Sequence, residues 1–168
     1  MKTNDVQPTE VKNQSIVLTP KELLAHWQGH RRVTRRVIEA FPEDKLFTYS
    51  IGGMRPFAAL VMEMIAMAGP GIKGIVTKQW AHYSEPTAPA TKQELLQVWD
   101  GITEEINNQW SLIPAGRFQD VEAAFGQWEG TIHSTLFYFI DNEIHHRGQG
   151  YVYLRSLGIE PPAFWDRQ

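Results

Sequence analysis

The chain has 168 residues, 42% hydrophobic and 21% charged, with a formal net charge of -3. That size suits one domain of about 100–200 residues, and the balance excludes a disordered chain and a global basic field for nucleic acid. Cysteine is absent, which excludes disulfides, thiolate metal sites, iron–sulfur clusters and a cysteine nucleophile; a metal here needs His, carboxylate or amide ligands.

Residues 1–18 are polar and lack the apolar run of about 7–15 residues that a secretory leader needs. No span reads as the ~18 apolar residues of a membrane helix. The expectation is a cytoplasmic protein with a flexible N-terminal arm over 1–18 and one domain over 19–168. Thr19 suits an N-cap, Pro20 the first helical position, and Glu22 the reciprocal carboxylate of a capping box. Leu23, Leu24, Trp27, Val33, Val37, Ile38 and Phe41 then recur every three to four residues, which predicts an amphipathic helix of about 20 residues closed by Pro42. Gly52 and Gly53 punctuate the chain. After Pro56, the residues Phe57, Leu60, Val61, Met64, Ile65 and Ala68 predict a second helix, with Gly69-Pro70-Gly71 read as its stop.

Residues 69–90 form a long connection carrying Trp80, His82, Tyr83 and three prolines. Connections above about 12–15 residues are often lids or binding loops; the plainer reading is a packed linker with a short helix inside. Thr91 and Glu94 form another capping box, and Leu95, Leu96, Val98, Trp99, Ile102, Ile106 and Trp110 predict a third helix to Leu112. Residues 117–130 have weak periodicity and read as loop or a short extended segment. Thr131 opens a fourth long helix to about Leu157, ended by Gly158 and Pro161-Pro162. Four long helical patterns without a convincing alternating strand predict an all-α helical bundle.

The densest polar feature is Asp141-Asn142-Glu143-Ile144-His145-His146-Arg147-Gly148-Gln149. It follows Thr135–Ile140, apolar on nearly every side and therefore expected at the centre of the bundle. Polar groups there are costly unless satisfied. Asn142 and His146 lie one turn apart and can address one point, as two ligands on one helix must; His145 points in a neighbouring direction. Glu63 is the only charged residue between Arg55 and Lys73. Beside an apolar stripe it is either a rim carboxylate or a buried one paired with a metal, Arg147 or a protonated His. Arg31, Arg32, Arg35 and Arg36 read as a solvated face. His26, His30, His82 and His133 read as isolated, with His30 and His133 the pair placed to line a cavity. No glycine-rich phosphate loop, Gly-x-Ser-x-Gly elbow or His-Glu-x-x-His motif occurs.

The stretch from Asp141 through His145-His146-Arg147-Gly148-Gln149 to Leu157-Gly158 and Pro161-Pro162 closely resembles the C-terminal signature of the DinB/YfiT-like superfamily. The resemblance implies an up-down-down-up four-helix bundle, commonly a homodimer. It also implies a site of three histidines, one from the second helix and two spaced i, i+4 on the last. Carried over, those positions fall on Glu63, Asn142 and His146, so only His146 keeps the family's ligand type. An O, O, N set is harder than three imidazoles and favours oxygen-loving cations or weakens binding. The alternatives are a metal-free hydrogen-bonded core with Glu63 paired to His146, or His145 replacing Asn142. Superfamily members include thiol-dependent transferases and isomerases. The resemblance therefore implies a divalent ion (zinc, nickel or manganese), a small-molecule substrate and a low-molecular-weight thiol co-substrate, in thiol transfer or metal-assisted hydrolysis. The competing expectation is a non-catalytic, stress-related small-ligand-binding or structural protein. The family name refers to induction by DNA damage and implies no nucleic-acid partner.

Overall fold

A computed structural model describes residues 17–168; most of the expected N-terminal arm lies outside the described residues. The elements run α1 (Pro20–Ala40), α2 (Glu43–Thr48), α3 (Phe57–Thr77), α4 (Lys92–Trp110), a 3-10 turn (Ala115–Gln119), β1 (Val121–Ala124), β2 (Trp128–Thr131) and α5 (Ile132–Ser156). Both capping boxes form. Thr19 Oγ1 accepts the Glu22 N–H at 3.2 Å while Glu22 Oε2 accepts the Thr19 N–H at 2.8 Å, and Thr91 with Glu94 repeats the exchange at the start of α4. Each box satisfies two backbone donors that the first turn would otherwise leave free.

The four long helices pack as a ring in which α1 and α3 each touch α4 and α5, and α2 leans on α3. Trp27, Ile72, Ile106, Trp110, Leu136 and Phe139 belong to one apolar cluster. Val37, Phe41, Phe57, Val61, Trp99 and Tyr153 belong to the other. Residues 121–131 form a small antiparallel hairpin with Val121 opposite Thr131 and Ala124 opposite Trp128. Its turn places buried Phe125 at φ 55, in the left-handed region.

Helix α3 corrects the sequence reading. It does not stop at Gly69-Pro70-Gly71 but runs through Pro70 to Thr77. A Cβ on Gly69 would stand 2.7 Å from Ile102 of α4, and one on Gly71 would stand 2.5 Å from the Phe139 ring of α5. These glycines admit neighbouring side chains against the helix; tertiary packing outweighs the local breaking tendency of proline. The longer helix also passes by length and composition as a membrane span, although 72% of its apolar window is buried inside the protein. The long connection shrinks to residues 78–91 and contains no helix. Trp80 donates to Glu122 at 2.8 Å, and Tyr83 meets Phe125 and Trp128 edge to face, so the connection is clamped to the hairpin. The apolar start of α5 is not buried all round, since Phe137 and Tyr138 are exposed.

Arg31 is likewise not on a solvated face. It is buried between α1, α4 and α5, stacked 3.7 Å over Trp99 and facing Glu143. Of the pair expected to line a cavity, His133 lines one beside Leu23 and Phe118, whereas His30 is buried and its Nδ1 accepts from Arg147 at 2.9 Å. Burial first, then the positive charges of Arg147 and Arg167 and neighbouring His26, pull His30 from 6.5 down to about 3. The unfolded chain therefore takes up a proton below pH 6.5 that the native state refuses, and stability falls as pH drops from 6.5 toward 3. His30→Gln keeps an acceptor for Arg147 but cannot titrate. Urea melts at neutral and mildly acidic pH are expected to show a smaller acid loss in this variant than in wild type.

Candidate functional site

Glu63 lies on α3, facing α5 beside its apolar stripe. Three side chains from two segments converge on its carboxylate. From α5, His146 Nε2 lies 2.8 Å and Asn142 Nδ2 3.0 Å from Oε1. The i, i+4 spacing of Asn142 and His146 puts both on the α5 face that meets α3. From the 49–56 segment, the Arg55 guanidinium pairs with Oε2. Burial pushes the Glu63 carboxyl up, but the hydrogen bonds from Arg55, His146 and Asn142 outweigh it and hold it below its ordinary value. Glu63 is therefore an ionised, mostly buried carboxylate with both oxygens engaged, not a rim group. His146 Nδ1 lies 3.0 Å from Gln149 Oε1, which orients the ring.

Arg55 is held at three points. Its backbone carbonyl accepts from the Tyr153 hydroxyl of α5 at 2.9 Å. One guanidinium nitrogen meets Glu63, and the other donates to Glu85 at 2.8 Å. Glu85 also accepts from the Tyr83 hydroxyl at 2.8 Å. The connection 78–91 is thus tied to the site through a guanidinium shared by two carboxylates.

The structure brings Glu63, Asn142 and His146 together. His145 is exposed and turned away, within 3.4 Å of Gln149, so it does not replace Asn142. Arg147, weighed as a partner of Glu63, instead serves His30, Thr34 and Glu143 on the α1 side of the helix. Arg55 is the participant that sequence reasoning missed. It lies outside any helix, eight residues before Glu63, where no periodicity relates the two.

For a divalent metal this donor set falls short. It offers one carboxylate, one imidazole and one amide, and among the described residues no three His, Asp or Glu side chains converge as a metal cluster. Asn142 turns its amide nitrogen to Glu63 and leaves Oδ1 buried without a partner. Rotating the amide would set Oδ1 against Glu63 Oε1, which only a cation between them would make favourable. The other carboxylate oxygen is already neutralised by Arg55. The residues do not fit a divalent ion while Arg55 holds Glu63.

One turn along α3 from Glu63 and one turn back along α5 from Asn142, Met67 and Phe139 line a cleft of roughly 270 Å³. Phe125, Trp128 and Tyr138 supply more of its walls, and Glu129, Ser134 and Thr135 its polar groups.

The DinB family model matches residues 10–167. The chain belongs to the DinB family. A crystal structure of a DinB-like protein from Bacillus subtilis is similar with a TM-score of 0.69 and 21% identity, covering 87% of this chain and 99% of that one. Another, of a DinB-like protein from Bacillus cereus, has a TM-score of 0.69 and 16% identity over 85% of this chain and 95% of that one. At these identities the likeness speaks for a DinB fold alone. No curated protein matches the chain.

Proposed function

We propose that this DinB-family chain binds a small organic molecule, rich in apolar or aromatic surface, in the cleft between α3, α5 and the hairpin. One observation carries the reading: an aromatic-walled cleft opens one helical turn from a buried, oriented carboxylate–imidazole pair. Apolar walls with a few fixed polar groups are the usual make-up of a small-molecule site. In this reading the Arg55–Glu63–His146–Asn142 cluster works without a metal, ordering the inner end of the cleft. The four long helices form an up-down-down-up bundle, in a cytoplasmic homodimer that uses neither nucleic acid nor membrane.

Metal-assisted thiol transfer or hydrolysis is the second reading. The unpartnered Asn142 Oδ1 favours it, because an amide oxygen beside a carboxylate and an imidazole is a set a hard cation could use. It requires Arg55 to leave Glu63. The thiol would come from outside, since the chain has no cysteine.

A library of aromatic fragments screened by ligand-observed NMR tests the first reading. Fragments are expected to bind wild type and to lose about tenfold or more in affinity with Trp128→Ala, in line with loss of an aromatic contact worth about 1.4 kcal/mol. Trp128 is half exposed, so its truncation leaves the core intact. No binding fragment, or hits indifferent to Trp128→Ala, would sink the proposal.

A further inference from the structure

We propose that Arg55 is the resident cation of this site and that its guanidinium keeps a divalent metal off Glu63. The proposal rests on the metal-free cluster of the small-molecule reading, but it concerns the cluster and not the cleft, whose fragment binding is tested separately. Four observations carry it. Glu63 Oε2 is bound by Arg55, and Oε1 faces both His146 Nε2 and Asn142 Nδ2. Arg55 does not swing freely on the surface: Tyr153 pins its backbone and Glu85 its second nitrogen. Glu85 is in turn held by Tyr83 of a connection clamped to the hairpin. Finally, Asn142 presents its amide donor to the carboxylate at 3.0 Å, the orientation expected beside an anion with no metal between them.

The physical consequence is direct. A metal at the Glu63–His146 contact would sit within a few ångströms of a fixed positive charge, and like charges at such separation repel strongly even where solvent screens them. It would also have to take Glu63 from a charge-assisted hydrogen bond. Removing the guanidinium frees Oε2 and lets the Asn142 amide turn its oxygen inward. That gives a carboxylate, an amide oxygen and an imidazole around one point.

The test compares wild type with Arg55→Gln, Arg55→Lys and the double variant Arg55→Gln/His146→Ala. Each is purified without an affinity tag or chelator. Elemental analysis gives the metal content, and thermal melts are titrated with zinc, nickel or manganese chloride. The Arg55 side chain is 44% exposed, so these substitutions leave the core untouched, and the melts without metal report the fold. Wild type is expected to carry far less than one metal per chain and to show no saturable rise in melting temperature. Arg55→Gln is expected to bind at least about tenfold tighter than wild type, and to lose that gain with His146→Ala. Arg55→Lys, which keeps the charge, is expected to behave as wild type. A near-stoichiometric metal in wild type overturns the proposal. So does Arg55→Gln binding no tighter than wild type, Arg55→Lys gaining as much as Arg55→Gln, or binding that survives loss of His146. None of these outcomes bears on fragment binding in the cleft.

Discussion

Glu143→Ala is expected to destabilise the protein by about 3–5 kcal/mol, the usual loss when one partner of a buried ion pair is removed. At roughly 2–4 °C per kcal/mol for a chain of this size, the melting temperature should drop by about 10 °C. Glu143 is 2% exposed and faces two buried guanidiniums, Arg31 at 3.8 Å and Arg147 at 3.9 Å. It also accepts from the Thr34 hydroxyl at 2.7 Å. Burial pushes its carboxyl up while Arg31, Thr34 and Arg147 pull it back. Without it, two positive charges remain in a dry interface between α1 and α5, with the weaker pull of Asp100 on Arg31 as the remaining offset. Arg31 Nη1 already lacks a hydrogen bond, and this carboxylate is the charge that faces it, at 3.8 Å. Glu143→Gln keeps an acceptor for Thr34 and should lose less. Thermal melts of the two variants at neutral pH check the order; Glu143→Ala melting with wild type would show that the network adds nothing to stability.

Trp99→Ala is the second large loss, about 3–5 kcal/mol from the cavity left by a fully buried indole. The indole does more than fill space. Its ring lies 3.7 Å under the Arg31 guanidinium, a desolvated cation–π contact worth about 2 kcal/mol. Its Nε1 donates to the Arg31 carbonyl at 3.3 Å, and its own carbonyl accepts from Arg31 at 2.9 Å. Burial pulls Arg31 down to about 10 even with Glu143 and Asp100 opposing, which measures how far this cation depends on its neighbours. Urea denaturation should place Trp99→Ala at or beyond the loss seen for Glu143→Ala. Because both act on Arg31, the double variant should lose less than the sum, whereas distant substitutions add. Strict additivity would separate the indole from the charge network.

Much of the candidate site is legible in sequence because it lies along one helix. Asn142 and His146 share a face by spacing alone, and Glu63 stands out as an isolated charge beside an apolar stripe. The resemblance around His145-His146-Arg147-Gly148-Gln149 points to the same three positions. Arg55 is not legible, since it reaches Glu63 from a loop and is placed by Tyr153 and Glu85, residues far away in the chain. Arg31 is misread for a related reason. Among four arginines on one helix, nothing local distinguishes the one that stacks under α4 from the three that pair at the surface.

The sequence by itself determines the helix starts at Thr19, Thr91 and Thr131, the four apolar stripes, and the absence of any thiolate ligand. These depend on caps, periodicity and composition, which act within a few residues. Tertiary structure alone decides that α3 runs through Pro70, because Ile102 and Phe139 pack where side chains on Gly69 and Gly71 would stand. It alone decides that the positive charge beside Glu63 is a guanidinium. Close packing and ion pairing depend on distances between segments that sequence spacing does not fix.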